Sequence, residues 1–279
     1  MKNPVARHRV IPRSRKSGLP PGTPVFVGEQ KQDRVRLQVL DYTSTDFEEV
    51  ADAGLDDCVQ RTHRDSVTWI NVIGVHDIDT LQRIGRTFAL HSLTLEDIAN
   101  THQRPKTEVF ENYVFFAFKM LSYDEQRHEI VRENVSLVLG AGFVLLFQER
   151  DGDVLDPLRE RIRWARGSVR SRDADYLAYA IMDSVIDGYF LALEKFGDYI
   201  DVLDEESLST PGKAHMRELH RLKRELVFLR KAIWPLREVI ATMQRSESRL
   251  IGTSIHPFIR DLHDHTIQVI DLVDTHREI

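Results

Sequence analysis

Residues 253–279 read TSIHPFIRDLHDHTIQVIDLVDTHREI, and the rest of the chain is organised around this stretch. Pro257 favours a helix start, because proline fits the first helical turn, where its missing N–H is not needed. Side chains that can be buried then recur every three or four residues, which places them on one helical face: Ile259, Leu262, Thr266, Val269 and Val273. No glycine, asparagine or proline ends the pattern, so we expect a helix that is cut before its natural end.

Two further helical patterns come before this stretch. Apolar residues recur at steps of three and four from Tyr179 to Leu203, and again from Leu219 to Met243. The polar segment 207–212 separates the two runs, which predicts an antiparallel helical hairpin whose arms are each at least ~24 residues and ~36 Å long. Pro235 lies inside the second arm and is expected to bend it, because proline removes one backbone hydrogen bond.

Residues 23–170 alternate between strand-like and helix-like patterns, which predicts an α/β domain. The last three strand-like runs are separated by short polar or glycine-containing segments, so we expect them to be antiparallel neighbours. Ser92 or Thr94 is expected to cap the second of the three helices. The predicted strands cover 25–27, 35–42, 67–72, 109–121, 130–139 and 143–147, and the predicted helices cover 77–88, 91–100 and 155–164.

Composition limits the possible classes of protein. The formal charge of −6 excludes a strongly basic nucleic-acid binder, so no nucleic-acid partner is expected. The single cysteine, Cys58, excludes an internal disulfide framework and fits a reducing cytoplasm. No run approaches 18 consecutive apolar residues, so we expect no membrane span in these residues. The basic residues near the start predict a flexible leader over 1–22.

The common catalytic motifs are missing from the sequence. It has no glycine-rich phosphate loop, no G-x-S-x-G, no H-E-x-x-H and no paired C-x-x-C, so we do not expect an enzyme. His263 and His265 point to different helical faces, which argues against a three-histidine zinc site.

Carboxylates are the remaining candidates for chemistry. Adjacent or one-turn spacings bring several of them together: Glu96 with Asp97, Asp183 with Asp187, and Asp261 with Asp264. Oxygen donors of this kind suit Mg²⁺ and Ca²⁺. Carboxylates on helices mostly face solvent, so spacing alone leaves a metal site and an ordinary charged surface both open.

Several motifs in a fixed order resemble the CorA family of magnesium and cobalt transporters. The strongest run comprises LEDI at 95–98, HQRPK at 102–106 and ENYVF at 111–115. The other matching stretches are GLPPGT (18–23), WIN (69–71), FQE (147–149), DPLRERIR (156–163), ADYL (174–177), IWPLRE (233–238) and DHTIQ (264–268). The resemblance covers nearly everything after residue 17.

The resemblance implies a homopentameric inner-membrane channel for Mg²⁺. Each subunit would carry a cytosolic α/β/α sandwich with a mixed sheet, a helical hairpin and a long stalk helix that runs into the membrane helices. The family's Gly-Met-Asn pore signature is absent from this sequence. We therefore expect the cytosolic part alone, divided into a leader (1–22), an α/β domain (23–170), a hairpin (171–252) and the truncated stalk helix (253–279).

The resemblance also implies metal sites between neighbouring subunits. Matching the motifs pairs Asp97, from LEDI, with Asp261, from FIRD at 258–261. A second site would use Glu96 and Asp183 close to Asp261, with His265 one turn along the stalk. The hypothesis that follows is that Mg²⁺, or Co²⁺ as a substitute, bridges these carboxylates and holds the ring closed.

Two other functions stay open at this point. A zinc or other transition-metal transporter of the same superfamily would favour nitrogen or sulfur ligands over this mostly carboxylate set. A soluble helical scaffold or adaptor without a metal function would explain the heptad periodicity equally well.

Overall fold

A seven-stranded sheet forms the centre of the N-terminal half in a computed structural model that describes residues 10–12, 16–209 and 212–278. Its strands lie in the order β4-β3-β5-β9-β8-β7-β6, and β1 and β2 form a separate two-stranded pair. The strands are β1 (Val10–Ile11), β2 (Gly28–Glu29), β3 (Arg36–Tyr42), β4 (Phe47–Val50), β5 (Val67–Ile73), β6 (Lys106–Val109), β7 (Val114–Asp124), β8 (Glu129–Gly140) and β9 (Phe143–Gln148).

The sheet is mixed, as the resemblance implied. β5 and β9 pair in parallel, whereas the other neighbours in the seven-stranded sheet pair antiparallel. The predicted antiparallel order of the last three strand-like runs is confirmed for β7, β8 and β9. The single strand predicted over 109–121 is wrong, because the chain reverses there. Val109 pairs with Val114, and the Phe110 amide donates to the Tyr113 carbonyl at 2.9 Å, which closes a tight hairpin between β6 and β7.

Helices cover both faces of the sheet, which confirms the α/β/α sandwich. One face packs against α1 (Leu55–Thr62), α2 (Ile78–Thr87) and α3 (Ser92–Ile98). The other face packs against α4 (Asp156–Arg163) and the long C-terminal helices. Adjacent strand residues separate between the two cores, as Phe115 and Phe116 do on β7, because successive side chains of a strand point to opposite faces.

The helix starts agree with the sequence only in part. Asp77 caps α2 as its side chain accepts from the Asp79 and Thr80 amides. The cap predicted for α3 is wrong, because the His91 ring nitrogen accepts from the Leu93 amide instead. Thr94 is buried, and its hydroxyl bonds the Tyr113 hydroxyl at 2.8 Å, so it ties α3 to the β6–β7 hairpin. The sequence reading missed β4 and α1.

The C-terminal half is helical. It contains α5 (Ala174–Ser209), α6 (Lys213–Ile233), α7 (Leu236–Gln244) and α8 (His256–Glu278). The predicted hairpin is formed by α5 and α6. Pro235 was expected to bend the second arm, but it ends the arm at Ile233, and the chain continues as the separate helix α7. α8 packs against α5, α6 and α7. Its predicted stripe is buried, with Ile259, Leu262, Thr266, Val269 and Val273 each 0% exposed.

α5 is the one helix of the described ranges that is long and apolar enough to meet length and composition criteria for a membrane span. Of its most apolar window, 72% is buried inside the protein. Tyr189, Leu193 and Phe196 belong to the core shared with the sheet. The apolar character of α5 is therefore accounted for by its position as a core helix.

The predicted leader falls partly outside the described residues, which leave out 1–9 and 13–15. Val10–Ile11 pairs with Gly28–Glu29 as β1 and β2. Lys16 and the Gly22 amide both bond Glu96 on α3, at 2.9 and 2.7 Å. The described end of the leader thus lies against the α/β domain.

Leu262→Ala tests whether α8 is part of the folded core. Leu262 is fully buried between α8 and its neighbours, so we expect a loss of about 2–5 kcal/mol in the free energy of unfolding. Leu191→Ala on α5 is the matched control. Leu191 is 57% exposed, so its loss should stay within about 0.5 kcal/mol. Urea unfolding followed by circular dichroism measures both, and equal effects would contradict the packing of α8.

Candidate metal centre

Asp183 on α5 is under the electrostatic influence of Asp187, one turn along the same helix, and of Asp261 and His265 on α8, which packs against α5. We call Asp183 and Asp187 on α5, with Asp261 on α8, the α5–α8 acidic face. Asp183 is half-buried, and burial together with the negative charge of Asp187 raises its pKa to about 6. Asp261 raises it further, while His265 and Arg161 act in the opposite direction. The raised pKa reflects burial first and the neighbouring negative charges second.

His265 lies beside the α5–α8 acidic face. Its Nε2 atom lies 3.9 Å from a carboxylate oxygen of Asp261, one helical turn away. Its ring meets the Phe190 ring edge-on, with centroids 6.3 Å apart. The buried Nδ1 atom has no hydrogen-bond partner. An unpartnered buried ring nitrogen is a feature that a bound ligand or water would satisfy.

Tyr179 forms the apolar border of the acidic face. Burial, followed by the charge of Asp183, raises the pKa of its hydroxyl well above the usual range. Its ring packs against Tyr176 and Phe258, with centroids 5.4 Å apart in each case. The tyrosine hydroxyl therefore stays neutral next to the acidic face.

The other two predicted ligands, Glu96 and Asp97, lie on α3, and we call them the α3 carboxylates. The Asp97 carboxylate is paired with the Lys106 ammonium, which also contacts Glu108 at 2.8 Å. Burial opposes the charge on Lys106, but Asp97 and Glu108 hold its pKa above the ordinary value. Although partial burial acts to raise it, donors from Lys16 and Gly22 hold the pKa of Glu96 below its usual range.

A single chain does not bring the predicted pairs together. α3 packs on one face of the sheet, whereas α5 and α8 pack on the other, so Asp97 and Asp261 lie on opposite sides of the subunit. Asp183, Asp261 and His265 do lie together. Within residues 10–12, 16–209 and 212–278, no group of three or more His, Cys, Asp or Glu side chains is arranged to hold a metal ion. The pairs across subunits stay predictions.

The α5–α8 acidic face fits a hydrated divalent cation by the chemistry of its donors. Its carboxylates are hard oxygen ligands, and Mg²⁺ commonly uses one or two of them while keeping several waters. Burial and the charges of Asp187 and Asp261 raise the pKa of Asp183, and binding of a cation would relieve the part that is due to repulsion. His265 adds one nitrogen, a ligand that transition metals favour.

Sequence reasoning missed the partners of the α3 carboxylates. Lys106 is nine positions from Asp97, and their contact depends on how β6 pairs with β7 beside α3. Lys16 is 80 positions from Glu96, so no spacing rule connects them. The one available signal was the resemblance, since Lys106 belongs to the HQRPK run at 102–106.

Comparisons with known proteins give one consistent result. The family model described as "CorA-like Mg2+ transporter protein" matches residues 64–279. The chain is 48% identical over 266 residues to the cobalt/magnesium transport protein CorA of Thermotoga maritima, covering 95% of this chain and 76% of that protein. It is 25% identical over 214 residues to the putative metal ion transporter YfjQ of Bacillus subtilis, covering 76% of this chain and 64% of that one.

Solved structures share the fold. The soluble domain of CorA from Methanocaldococcus jannaschii matches with a TM-score of 0.70 at 18% identity, covering 86% of this chain and 92% of that one. The cytoplasmic domain of ZntB from Vibrio parahaemolyticus matches with a TM-score of 0.66 at 11% identity, covering 87% of this chain and 93% of that one. At these identities the two matches establish the fold alone.

Asp183→Asn tests the electrostatics of the α5–α8 acidic face. The folded-state pKa of Asp183 is about 6 and the ordinary value is 3.8, so folding favours the protonated form. The protonated Asp183 side chain therefore contributes fully to the stability of the folded protein below about pH 4, and this contribution is lost as the pH rises through about 6. The asparagine side chain does not ionise, so the variant keeps its stability as the pH rises. At pH 7 its free energy of unfolding should exceed that of the wild type by about 1–2 kcal/mol after solvent screening.

Thermal unfolding in EDTA between pH 4 and 8 measures this difference. Glu194→Gln, at an exposed carboxylate on α5, is the matched control and should keep the wild-type pH profile. If Asp183→Asn has the same pH slope as the wild type, the repulsion assigned to this face is absent.

Proposed function

Because the chain belongs to the CorA family of Mg²⁺ transporter proteins, we propose that it is the cytosolic metal-sensing and gating part of a divalent-cation transporter. Mg²⁺, or Co²⁺, would be the transported ion, and Mg²⁺ would also act as the regulatory ligand. The family match over residues 64–279 and the close relative named as a cobalt/magnesium transport protein support this function. The full-length protein would lie in the cell inner membrane, with these residues on the cytoplasmic side.

The observation that carries the proposal is the placement of the acidic residues. The α3 carboxylates and the α5–α8 acidic face lie on opposite sides of one subunit. A head-to-tail cyclic assembly joins one side of each subunit to the opposite side of the next. In a homopentamer of this kind, Asp97 of one subunit would face Asp261 of its neighbour, and Glu96 would approach Asp183.

Electrostatic repulsion across this interface would provide the gate. Two unit charges 4 Å apart interact by about 4 kcal/mol at the effective dielectric constant of a protein surface. A divalent ion between the carboxylates reverses the sign of this interaction and favours the closed ring. When the ion leaves, its link between the subunits is lost, repulsion between the carboxylates that the chain's own lysines do not balance loosens the interfaces, and α8 transmits the change along the stalk. The ion acts through its differential affinity for the closed state.

His265 supports a second candidate within the same superfamily, a transporter regulated by a transition metal. Its partly buried ring next to Asp261 supplies a nitrogen donor, which Co²⁺ and Zn²⁺ bind more readily than Mg²⁺ does. The carboxylates outnumber this single nitrogen, so Mg²⁺ remains the first proposal.

Asp97→Ala/Asp261→Ala tests the intersubunit site. Sedimentation velocity of the 279-residue chain, with Mg²⁺ and with EDTA, should show Mg²⁺-dependent assembly for the wild type. The double variant should lose most of this dependence, because both predicted ligands are gone. Glu194→Ala/Asp198→Ala removes two exposed acids of α5 outside the site and should behave like the wild type. Identical behaviour of all three proteins would remove the support for a metal sensor and favour a scaffold role.

His265→Ala separates the two metal classes. We expect Co²⁺ and Zn²⁺ to bind about tenfold more weakly, because a nitrogen ligand is lost, while Mg²⁺ binding changes by less than about twofold. Isothermal titration calorimetry with each chloride salt measures the affinities. His263→Ala, on a different face of α8, is the control. A loss of Mg²⁺ binding as large as that of Co²⁺ would contradict a carboxylate-dominated site.

A further inference from the structure

Both α3 carboxylates already hold a lysine of the same chain. The Asp97 carboxylate is paired with Lys106, and the side chains are 14% and 28% exposed. One oxygen of Glu96 accepts from Lys16 at 2.9 Å, and the other accepts from the Gly22 amide at 2.7 Å. The two proposed metal ligands on α3 therefore have positively charged partners before any metal binds.

The α5–α8 acidic face has no such lysine. In the part of the chain that the structure describes, Asp183 and Asp187 take part in no ion pair within 4.0 Å. Asp261 faces His265 at 3.9 Å, a pair that is charged only when the histidine is protonated. The two halves of the proposed intersubunit site therefore differ: lysines contact the carboxylates of one half, whereas in the other Arg161 and His265 act on Asp183 without an ion pair.

We propose that Lys106 and Lys16 are internal counter-ions that compete with the divalent ion for Asp97 and Glu96, and so set the metal concentration at which the sensor responds. This inference rests on the proposed metal-sensing function. It adds a chemical role for two residues that contact no metal themselves.

Competition follows from the geometry at each carboxylate. Each oxygen of Glu96 already accepts one hydrogen bond, one of them from the Lys16 ammonium, so a metal ligated by Glu96 competes with that positive charge. At Asp97, an ammonium in direct contact places a positive charge within a few ångströms of the incoming ion. A tethered group competes at a high effective concentration, because its local concentration is set by the chain and not by the solution.

Lys106 has a second acceptor besides Asp97, which makes the competition reversible. Glu108 lies two positions along β6 and accepts from the Lys106 ammonium at 2.8 Å. The same ammonium lies 5.9 Å from the centre of the Phe115 ring, within reach of a cation–π contact. When a metal takes Asp97, the ammonium can stay with Glu108, so displacement does not leave it without a partner.

The test is Mg²⁺ titration of the 279-residue chain by isothermal titration calorimetry, comparing wild type with Lys106→Met and Lys106→Arg. Lys106→Met should tighten Mg²⁺ binding by about tenfold, the size of a typical coupling between two ligands of one site. Lys106→Arg keeps the charge and should stay within about twofold of the wild type. Lys16→Met should act in the same direction as Lys106→Met.

Lys195→Met is the matched control, because Lys195 forms a direct ion pair with Glu125 at the surface, between residues that belong to neither half of the site. Its Mg²⁺ affinity should equal that of the wild type. Thermal unfolding in EDTA identifies any variant that fails to fold. Glu108→Gln is a second test in a folded protein. It removes the alternative acceptor for the Lys106 ammonium, so it should weaken Mg²⁺ binding. In the Lys106→Met background it should have little effect.

The outcomes separate this inference from the proposed function. If Asp97→Ala/Asp261→Ala abolishes Mg²⁺ binding but Lys106→Met binds like Lys195→Met, the metal site stands and the competition is overturned. If none of the proteins binds Mg²⁺, both proposals fail. Tighter Mg²⁺ binding by Lys106→Met together with wild-type affinity in Lys106→Arg supports the competition, because the first variant removes the positive charge and the second keeps it.

Discussion

The structure depends on a sheet whose two faces both need to be covered. Strands such as β7 carry large apolar side chains on both faces, with Phe115 in one core and Phe116 in the other, each 0% exposed. Burial of this surface is the main favourable term in folding, so helices pack on both sides. α3 is thereby fixed on one face and the α5–α8 pair on the other. The separation of the two acidic sets is a consequence of this layering.

The packing of α8 decides which of its polar residues face α5. Its buried stripe runs through Ile259, Leu262 and Thr266, and the helical period then places Asp261 and His265 beside that stripe, at its border with α5. There Asp261 adds its charge to that of Asp183, and burial strengthens the interaction. The same stripe that holds the stalk helix to the domain therefore orients the candidate ligands.

The sequence predicted the features that depend on local periodicity and missed those that depend on pairing. Heptad steps predicted α5, α6 and the stripe of α8, because each is a property of one helix. The hairpin between Val109 and Val114 was read as one strand, since Phe110 and Tyr113 are apolar enough to continue the pattern. β4 and α1 are short and charged. The Lys106–Asp97 contact required the β6 register, which no single segment encodes.

The unequal balance of charge predicts the order in which a cation would bind to the two sides of the proposed interface. The α3 carboxylates would arrive with their own lysines, whereas Asp183 and Asp187 form no ion pair among the described residues, so most of the negative charge without an ion pair belongs to the α5–α8 acidic face. A cation entering between two subunits would therefore be attracted first to Asp183 and Asp261 of one subunit. It would reach the other subunit by displacing a lysine. Binding to one side is then a charge-neutralising step, and only the second step joins two subunits. A sensor built in this way responds to the metal concentration at which an ammonium is displaced, which lies above the concentration at which an isolated carboxylate pair would bind.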